Sequence, residues 1–192
     1  MDRQAINTPM QVGPAARPIN SGVRIGHVHL KVADIERALA FYSGVLGFEV
    51  TQRLPGAAFI SSGDYHHHIG LNTWESRGGP PPAVGATGLY HLAILYPTRK
   101  ELADALRRVM EAKIPLEGAS DHGVSEALYL RDPDDNGVEL YWDRPKEQWP
   151  RTADGKLAMY TRHLDLMNLL GELGQAPKEQ AAAPLFEPAR GR

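Results

Sequence analysis

Two histidines and one glutamate occupy positions from which they could hold a single metal ion. His27 lies in the segment RIGHVHLKV, His91 in LYHLAILY and Glu139 in GVELYW. These segments have the β-rich, apolar character of strands. Two histidines and one carboxylate on one face of a metal, with open positions opposite, form the facial triad of non-heme iron(II) oxygenases. The residue types therefore indicate oxygen chemistry at a mononuclear centre where substrate and dioxygen bind the same ion.

A purely structural role is the alternative for each of these residues. A lone histidine on a strand is more often a satisfied core or surface residue than a ligand. A glutamate within an apolar strand is harder to explain in that way, because burying an unpaired carboxylate is costly. Spacing alone leaves the metal site and the structural role open.

Three successive histidines, His66, His67 and His68, form the second chemical feature. Because side chains alternate along a strand, His66 and His68 are predicted to share a face and His67 to point the other way. A histidine near a metal can act as a general acid or base at neutral pH. The alternative is a polar edge strand without a catalytic role.

The acidic run DPDDNG at residues 132–137 resembles the opening of a calcium-binding EF-hand loop. Position twelve of such a loop would be Asp143 rather than a glutamate, and the flanking segments are typical of strands rather than helices. Asn136 and Gly137 between two β-rich runs indicate a hairpin turn. We therefore interpret this run as a turn and not as a calcium site.

Two similar halves must position these candidate residues. Each half shows a strand, a helix and then further strands, and a Pro/Gly-rich segment separates the halves. The sequence therefore predicts an α+β fold of two tandem βαβββ modules. The predicted regions are a flexible N-terminal arm (1–22), module one (23–76), a Pro/Gly linker (77–87), module two (88–143) and a C-terminal extension with a short helix (144–192).

Capping residues mark the predicted helices. Asp34 can cap the helix of module one, and Thr98 with Glu101 forms a capping box for the helix of module two. The short tail helix, predicted from Asp165 to Leu173, carries apolar surface that must be covered. We predict that it packs on the sheets or on a neighbouring subunit, giving a homodimer or a larger homo-oligomer.

Composition excludes several classes of site and partner. The 192-residue chain has no cysteine, so disulfides, iron–sulfur clusters and thiolate zinc sites are excluded, and any metal must have nitrogen and oxygen ligands. The net charge of -2 gives no electrostatic reason to expect a nucleic acid or an anionic membrane as partner. The first twenty residues lack the apolar run of a secretory signal, so we expect a cytoplasmic location.

The sequence resembles the vicinal-oxygen-chelate superfamily, which includes glyoxalase I, fosfomycin-resistance proteins, bleomycin-binding proteins and type I extradiol dioxygenases. The resemblance lies in the repeated modules, in IGHVHLKVAD at residues 25–34, and in Phe41-Tyr42 followed by Leu46-Gly47-Phe48. It covers about residues 24–142, and the run at residues 141–151 extends it toward the catechol-2,3-dioxygenase branch. The resemblance implies a cupped, barrel-like mixed sheet around one metal, with His27, His91 and Glu139 as its ligands.

The resemblance also implies roles for groups around the metal. His68 best matches the acid/base histidine of the extradiol enzymes. Tyr129 matches a tyrosine ten residues before the glutamate ligand, and His122 matches a histidine several residues before that tyrosine. Three further residues are candidates for lining the pocket: His29, His67 and Trp74.

The implied activity is extradiol ring cleavage of a catechol-like aromatic diol by dioxygen, with iron(II), or alternatively manganese(II), as cofactor. The expected partners are thus a small aromatic diol and dioxygen. One alternative is a metal-dependent glyoxalase, isomerase, epimerase or lyase, and another is a non-catalytic protein that binds an aromatic compound or a drug. No Asp or Glu lies between Tyr65 and Trp74, where glyoxalase I would place a metal-binding carboxylate. Bleomycin-binding relatives lack the metal triad, which is intact here.

Overall fold

A computed structural model describes residues 18–174 of the chain. The predicted N-terminal arm at residues 1–22 lies outside the described residues except for its last five positions, and the end of the C-terminal extension lies outside them as well. Within residues 18–174, none of the helices has the length and apolar character that crossing a membrane requires.

The order of strands and helices matches the predicted pair of modules. The strands are β1 (Val28–Lys31), β2 (Glu49–Leu54), β3 (Ala57–Ser61), β4 (Ile69–Asn72), β5 (Leu92–Leu95), β6 (Leu116–Asp121), β7 (Ser125–Arg131), β8 (Gly137–Asp143) and β9 (Arg162–His163). The α-helices are α1 (Ile35–Tyr42), α2 (Arg99–Glu111) and α3 (Leu166–Leu170), with 3-10 turns at Lys146–Gln148 and Gly171–Gly174. The α+β class and the two βαβββ modules are therefore confirmed.

Each module forms its own mixed sheet. The first sheet has the order β1-β4-β3-β2 and the second the order β5-β8-β7-β6-β9. In both sheets the opening strand pairs in parallel with the last strand of its module, while the other pairs are antiparallel. No strand of one sheet is hydrogen bonded to the other sheet within residues 18–174, so the two sheets are not closed into a barrel.

The predicted caps are present at both long helices. The Asp34 side chain accepts a hydrogen bond of 2.8 Å from the backbone N–H of Arg37 at the start of α1. At the start of α2, Thr98 Oγ1 accepts from the backbone N–H of Glu101 at 3.2 Å and lies 2.8 Å from the Glu101 carboxylate. These bonds satisfy backbone donors that have no partner inside the helix.

The acidic run is the turn between β7 and β8 of module two, and it also contacts helix α1 of module one. Asp132 accepts hydrogen bonds from the backbone N–H groups of Asp134 and Asn136 and, at 2.9 Å, from the buried phenol of Tyr42 in α1. The turn spans residues 132–136 with a left-handed backbone at Asp135 (φ 67°). The predicted hairpin is confirmed, and Gly137 is the first residue of β8, as the strand-like segment GVELYW predicted.

The helices and sheets of both modules share one apolar core. Its largest fully buried side chains come from all three α-helices, from strands of both sheets and from the residue after β1, namely Val32, Tyr42, Ile60, Leu71, Leu102, Leu106, Val109, Leu128, Leu130, Val138, Leu140 and Leu169. Tyr42 belongs to this core, and burial raises the pKa of its phenol, with the Asp132 carboxylate adding to the increase. The phenol therefore stays neutral and donates to Asp132.

The C-terminal extension is integrated into the second module. Strand β9 pairs with β6, and the buried side chains of Leu164 and Leu169 belong to the common core. The guanidinium of Arg99 in α2 contacts the carboxylates of Glu126 and Glu172, each at 2.7 Å. The predicted packing of the tail helix is thus seen within one chain, and the predicted homo-oligomer stays a prediction.

Candidate metal centre

His91 and Glu139 converge on the second sheet. His91 immediately precedes β5, Glu139 lies in the adjacent β8, and His91 Nε2 is 2.9 Å from Glu139 Oε2. Two ligands that are each about 2.1 Å from an ion and at right angles lie about 3 Å apart. The Nδ1 atom of His91 is buried and has no hydrogen-bond partner. The donor types and their separation therefore suit adjacent positions around one divalent ion.

Gly137 allows His91 to approach β8. A Cβ atom on Gly137 would lie 2.1 Å from the backbone oxygen of Tyr90 and 3.1 Å from Cα of His91. Any side chain at this position would push the start of β5 away from β8. The position of His91 beside Glu139 thus depends on the glycine at the first position of β8.

Tyr129 and His122 extend this pair into a hydrogen-bonded series. The Tyr129 hydroxyl lies 3.1 Å from Glu139 Oε1 and 2.8 Å from His122 Nε2. Burial, with the nearby Glu139 carboxylate as the second cause, raises the pKa of Tyr129 to about 12. The phenol is therefore neutral at physiological pH and has one proton to donate. The structure brings Tyr129, His122, His91 and Glu139 together, and their roles stay a prediction.

The first sheet carries an aromatic and imidazole face. The exposed ring of His27 lies 4.5 Å from the ring of His67, measured between centroids, and His67 lies 5.0 Å from Phe59. His29 lies 5.9 Å from Phe59 and 5.7 Å from Trp74. The candidate pocket residues His29, His67 and Trp74 are thus neighbours of one another or of His27, but none of the three lines the cavity that contains His27, His68 and His91.

The three successive histidines do not alternate as predicted. Strand β4 begins only at Ile69, so residues 66–68 precede the regular strand and strict alternation does not apply to them. Nδ1 of His66 and Nδ1 of His67 are 2.6 Å apart, although these side chains were expected on opposite faces. Partial burial and the neighbouring histidines, His27 first among them, lower the pKa of His67. His67 is therefore neutral over a wider pH range than an isolated histidine.

His68 is held by two serines at the end of β3. Its Nδ1 atom lies 2.9 Å from the Ser61 hydroxyl and accepts a hydrogen bond of 3.3 Å from the backbone N–H of Ser62. A backbone N–H can only donate, so Nδ1 is the accepting nitrogen. The neutral ring consequently carries its proton on Nε2.

A cavity of about 820 Å³ lies between the beginnings of the two modules. His27, His68 and His91 line it together with apolar side chains that include Val28, Leu46, Phe48, Ile69, Leu92 and Ile94. No three His, Asp or Glu side chains in residues 18–174 lie close enough to hold a metal ion together. His91 and Glu139 are in direct contact, and metal binding by His27, His91 and Glu139 stays a prediction.

The residues that contact Nδ1 of His122 were not predicted from the sequence. Nδ1 of His122 lies 3.1 Å from the Thr161 hydroxyl and 3.3 Å from the backbone oxygen of Tyr160. These residues are near His122 because β9, a strand of only two residues, pairs with β6. A two-residue strand has too short a pattern to recognise in a sequence.

The sequence of the chain matches one superfamily of known proteins. A sequence profile of the Glyoxalase/Bleomycin resistance protein/Dioxygenase superfamily matches residues 24–140. The chain is 41% identical over 160 residues to a catechol-2,3-dioxygenase of Bacillus subtilis (strain 168), covering 83% of this chain and 55% of that protein. It is 32% identical over 120 residues to a biphenyl-2,3-diol 1,2-dioxygenase of Rhodococcus globerulus, covering 62% of this chain and 63% of that protein. The chain thus spans less than two thirds of the length of these relatives.

Solved structures show the same fold. A lactoylglutathione lyase from Agrobacterium tumefaciens aligns with a TM-score of 0.51 at 27% identity, covering 64% of this chain and 96% of the lyase. A glyoxalase/dioxygenase from Nostoc punctiforme aligns with a TM-score of 0.55 at 20% identity, covering 69% of this chain and all of that one, and this likeness concerns the fold alone.

Proposed function

We propose that this chain, which belongs to the Glyoxalase/Bleomycin resistance protein/Dioxygenase superfamily, is an extradiol-type dioxygenase that cleaves the ring of a catechol-like aromatic diol. Two of its relatives are named as dioxygenases of aromatic diols. The observation that carries the proposal is the pairing of His91 Nε2 with Glu139 Oε2 at 2.9 Å, with Tyr129 and His122 in contact behind it. That arrangement supplies metal ligands together with groups that can hold protons.

The cofactor that suits this donor set is iron(II), with manganese(II) as the alternative. His91 and Glu139 would hold it with His27 as third ligand, which gives the two-histidine, one-carboxylate set. When bound, such an ion supplies open coordination positions at which the two oxygens of a diol and dioxygen meet. All ligands are nitrogen or oxygen atoms, as a chain without cysteine requires.

His68 is the group that we assign to proton delivery. It lines the same cavity as His27 and His91, and its Nδ1 accepts from the Ser62 N–H, so the neutral ring presents an N–H at Nε2. This tautomer can give a proton to a developing oxygen anion, which is the acid half of the acid/base role that the resemblance implied. The Ser61 hydroxyl helps to hold the ring in place.

Tyr129 and His122 hold a proton beside the glutamate. The neutral phenol of Tyr129 lies between Glu139 Oε1 and His122 Nε2. Hydrogen bonds to a ligating carboxylate set its orientation and its basicity. The apolar side chains around the cavity, among them Leu46, Phe48 and Ile94, would orient an aromatic ring and exclude water.

We also propose that a second copy of the chain covers the exposed apolar side chains beside the two histidines. Ile25, near His27, is 97% exposed, and Tyr90, next to His91, is 83% exposed. Single exposed apolar side chains are common on protein surfaces, and the stronger support is that within residues 18–174 His27 forms no three-residue metal-binding group with His91 and Glu139. In such an assembly His27 of one copy would join His91 and Glu139 of the other.

Oxygen consumption tests the proposed function. Protein loaded with iron(II) without air is mixed with a panel of substituted catechols and hydroquinones in an oxygen electrode. We expect one dioxygen to be consumed per catechol, with a coloured ring-opened product. Absence of oxygen uptake across the panel would overturn the proposal.

A lyase or isomerase is the second candidate, because the lactoylglutathione lyase structure aligns at 27% identity. The same protein preparation is therefore assayed with a glutathione hemithioacetal. We expect no reaction, since no Asp or Glu lies between Tyr65 and Trp74 to supply a further carboxylate ligand. Turnover of the hemithioacetal without oxygen uptake would favour this second candidate.

A further inference from the structure

Gly118 lies in the interior of β6, directly opposite Tyr129. The two residues are direct partners in the pairing of β6 with β7, and Tyr129 is in turn the partner of Glu139 in β8. Direct partners in a sheet project to the same face, with Cβ atoms about 5 Å apart. A side chain at position 118 would therefore stand next to the Tyr129 ring, on the face of the second sheet that carries Glu139.

The backbone does not require a glycine at this position. A glycine inside a strand often marks a bulge or a place where a ligand comes close. The register of β6 does shift between Leu116 and Gly118, but Gly118 lacks the left-handed backbone that glycine-type bulges need. Among the described residues other than its chain neighbours, a Cβ atom at this position would meet only the Tyr129 ring, at 3.8 Å, which is an ordinary contact.

The first module has the same register shift with a long side chain in place of the glycine. In the pairing of β2 with β3 the register shifts between Val50 and Gln52, and Gln52 is the direct partner of Phe59. Gln52 of module one thus corresponds to Gly118 of module two. Phe59 corresponds in the same way to Tyr129. Because the repeated module accommodates Gln52 at this point, the register shift does not explain the glycine, and the approach of a ligand does.

A pocket of about 380 Å³ opens over Gly118. The side chains that line it include those of Ser120, His122, Tyr129 and His91. His91 also lines the larger cavity in which the ring of the diol is proposed to lie, so the two spaces meet at a proposed metal ligand. The smaller pocket is thus placed to receive the part of a diol that projects beside the metal.

We propose that Gly118 is a specificity-determining residue, which leaves room beside the metal for a substituent on the ring of the diol. The proposal deepens the proposed function, on which it rests. In a diol that chelates an ion through two neighbouring oxygens, a substituent on the carbon next to a hydroxyl-bearing carbon projects sideways past the ion. A substituent one carbon further projects away from the ion. The preferred substrates are therefore catechols substituted at carbon 3.

The charges at the rim of the pocket favour an uncharged substituent. Arg131 and Glu117 line the pocket and form an ion pair, with 2.9 Å between Nε and the carboxylate. Asp135 lies 4.0 Å from the same Nε atom. The guanidinium charge is thus already offset, so a carboxylate on the substrate would lose hydration without gaining a free cation. An alkyl or aryl group suits this pocket better than an acidic one.

Oxygen uptake by the iron-loaded enzyme tests the proposal with a matched pair of substrates, 3-phenylcatechol and 4-phenylcatechol. We expect kcat/KM for 3-phenylcatechol to fall about tenfold in Gly118→Ala and about a hundredfold in Gly118→Val, the usual effect of one or more carbon atoms of misfit in a pocket. For catechol and 4-phenylcatechol the change should be less than about threefold, because neither places a group against the added methyls. Equal losses for the two phenylcatechols would overturn the proposal.

Two controls separate the size of the pocket from other effects. Both variants should unfold at or above the wild-type temperature, since glycine weakens the interior of a strand. If Gly118→Val does not fold, Gly118→Ala still gives the selective loss. A catechol with a carboxyethyl group at carbon 3 should be a poorer wild-type substrate than 3-phenylcatechol, and the reverse order would overturn the preference for an uncharged group.

NMR on the full chain without added metal tests the pocket independently of turnover. Gly118→Ala identifies the backbone amide signal of Gly118 by its loss. We expect millimolar 3-phenylcatechol to shift this signal in the wild type and 4-phenylcatechol to leave it in place. A signal that 3-phenylcatechol does not move would overturn the placement of the substituent. If no diol is turned over, the NMR result still decides whether the pocket over Gly118 takes the substituent, so failure of the proposed function and failure of this inference are separate outcomes.

Discussion

Tyr129 and Glu139 are direct partners across the hairpin of β7 and β8, and the phenol oxygen lies 3.1 Å from Glu139 Oε1. The pairing continues through Arg131 and Gly137, so the five residues 132–136 form the turn. The spacing of ten residues is thus the consequence of the register of a hairpin. Inserting or deleting one residue in this turn would move Tyr129 to the opposite face from Glu139.

The phenol of Tyr129 should contribute to catalysis less than His68 does. Tyr129→Phe removes the proton shared between Glu139 and His122 but leaves the ring in place. We expect kcat for oxygen uptake to fall about tenfold, below the usual worth of a positioned general acid. A fall as large as that of a His68 variant would contradict this ranking.

The raised pKa of Tyr129 also predicts how stability depends on pH. Its folded-state pKa of about 12 lies above the ordinary value of 10.0, so its contribution to stability is complete below pH 10 and is lost as pH rises toward 12. The difference in unfolding free energy between wild type and Tyr129→Phe should therefore be constant at neutral pH and shrink above pH 10. Urea denaturation at several pH values measures this difference, and a decrease already at neutral pH would contradict the raised pKa.

Removal of any proposed ligand should abolish iron binding. We expect His27→Ala, His91→Ala and Glu139→Ala to remain folded, as judged by circular dichroism, and to lose iron in metal analysis. His163→Ala, which changes an exposed histidine in β9, serves as the control and should bind iron as the wild type does. Wild-type iron content in one of the three variants would remove that residue from the ligand set.

His68 should be needed for turnover of the diol and not for iron binding. We expect His68→Gln, which can keep a contact with Ser61, and His68→Phe both to retain iron and to bind a catechol. Their kcat should fall by roughly 10²–10⁴, the usual contribution of general acid–base catalysis. Loss of iron in both variants would show instead that His68 is a metal ligand.

The sequence predicted the elements that depend on local patterns. The caps at Asp34 and Thr98 are confirmed because a capping residue acts within one helical turn. Strand ends were predicted less accurately. Both His27 and His91 were predicted to lie inside strands, but β1 and β5 each begin one residue later. Where a strand begins depends on the partner strand, and the partner is distant in sequence.

Long-range relationships account for most of what the sequence did not predict. No local sequence pattern indicates that Gly137 must leave space for His91. The same is true of the contacts between Thr161 and His122 and between Asp132 and Tyr42. Each depends on two segments meeting in the folded chain. Tyr129 and His122 were predicted from the family resemblance. The local sequence pattern by itself gives no reason to expect that these two side chains are in contact.

The ion pairs of Arg99 should hold the C-terminal extension in place. Its side chain is only 16% exposed, it contacts Glu126, Glu172 and the Asn168 side-chain oxygen, and the Glu126 side chain is 4% exposed. Arg99→Ala leaves Glu126 paired with Arg144 alone, so the carboxylate keeps one cation and we expect a loss of about 2–3 kcal/mol in urea denaturation. Arg107→Ala, in the same helix and in exposed ion pairs only, should cost about 0–1 kcal/mol. Equal losses for the two variants would show that the buried ion pairs do not stabilise the fold.

The last prediction concerns whether the metal site is shared between two copies. If His27 of one copy meets His91 and Glu139 of the other, a mixture of His27→Ala and Glu139→Ala chains contains mixed dimers with one intact site. In a symmetric dimer with random exchange, half of the dimers are mixed, so roughly one quarter of the wild-type iron and activity should return.

The control mixture combines His91→Ala with Glu139→Ala. Both changes lie on the second sheet, so every site in every dimer lacks one ligand and no activity should return. Each variant is unfolded mildly, mixed and refolded to allow exchange, and iron content and oxygen uptake are then measured. If the first mixture stays as inactive as the control, light scattering shows dimers and His27→Ala alone has lost its iron, then His27 joins His91 and Glu139 within one chain, and the two modules close on each other further than in this structure.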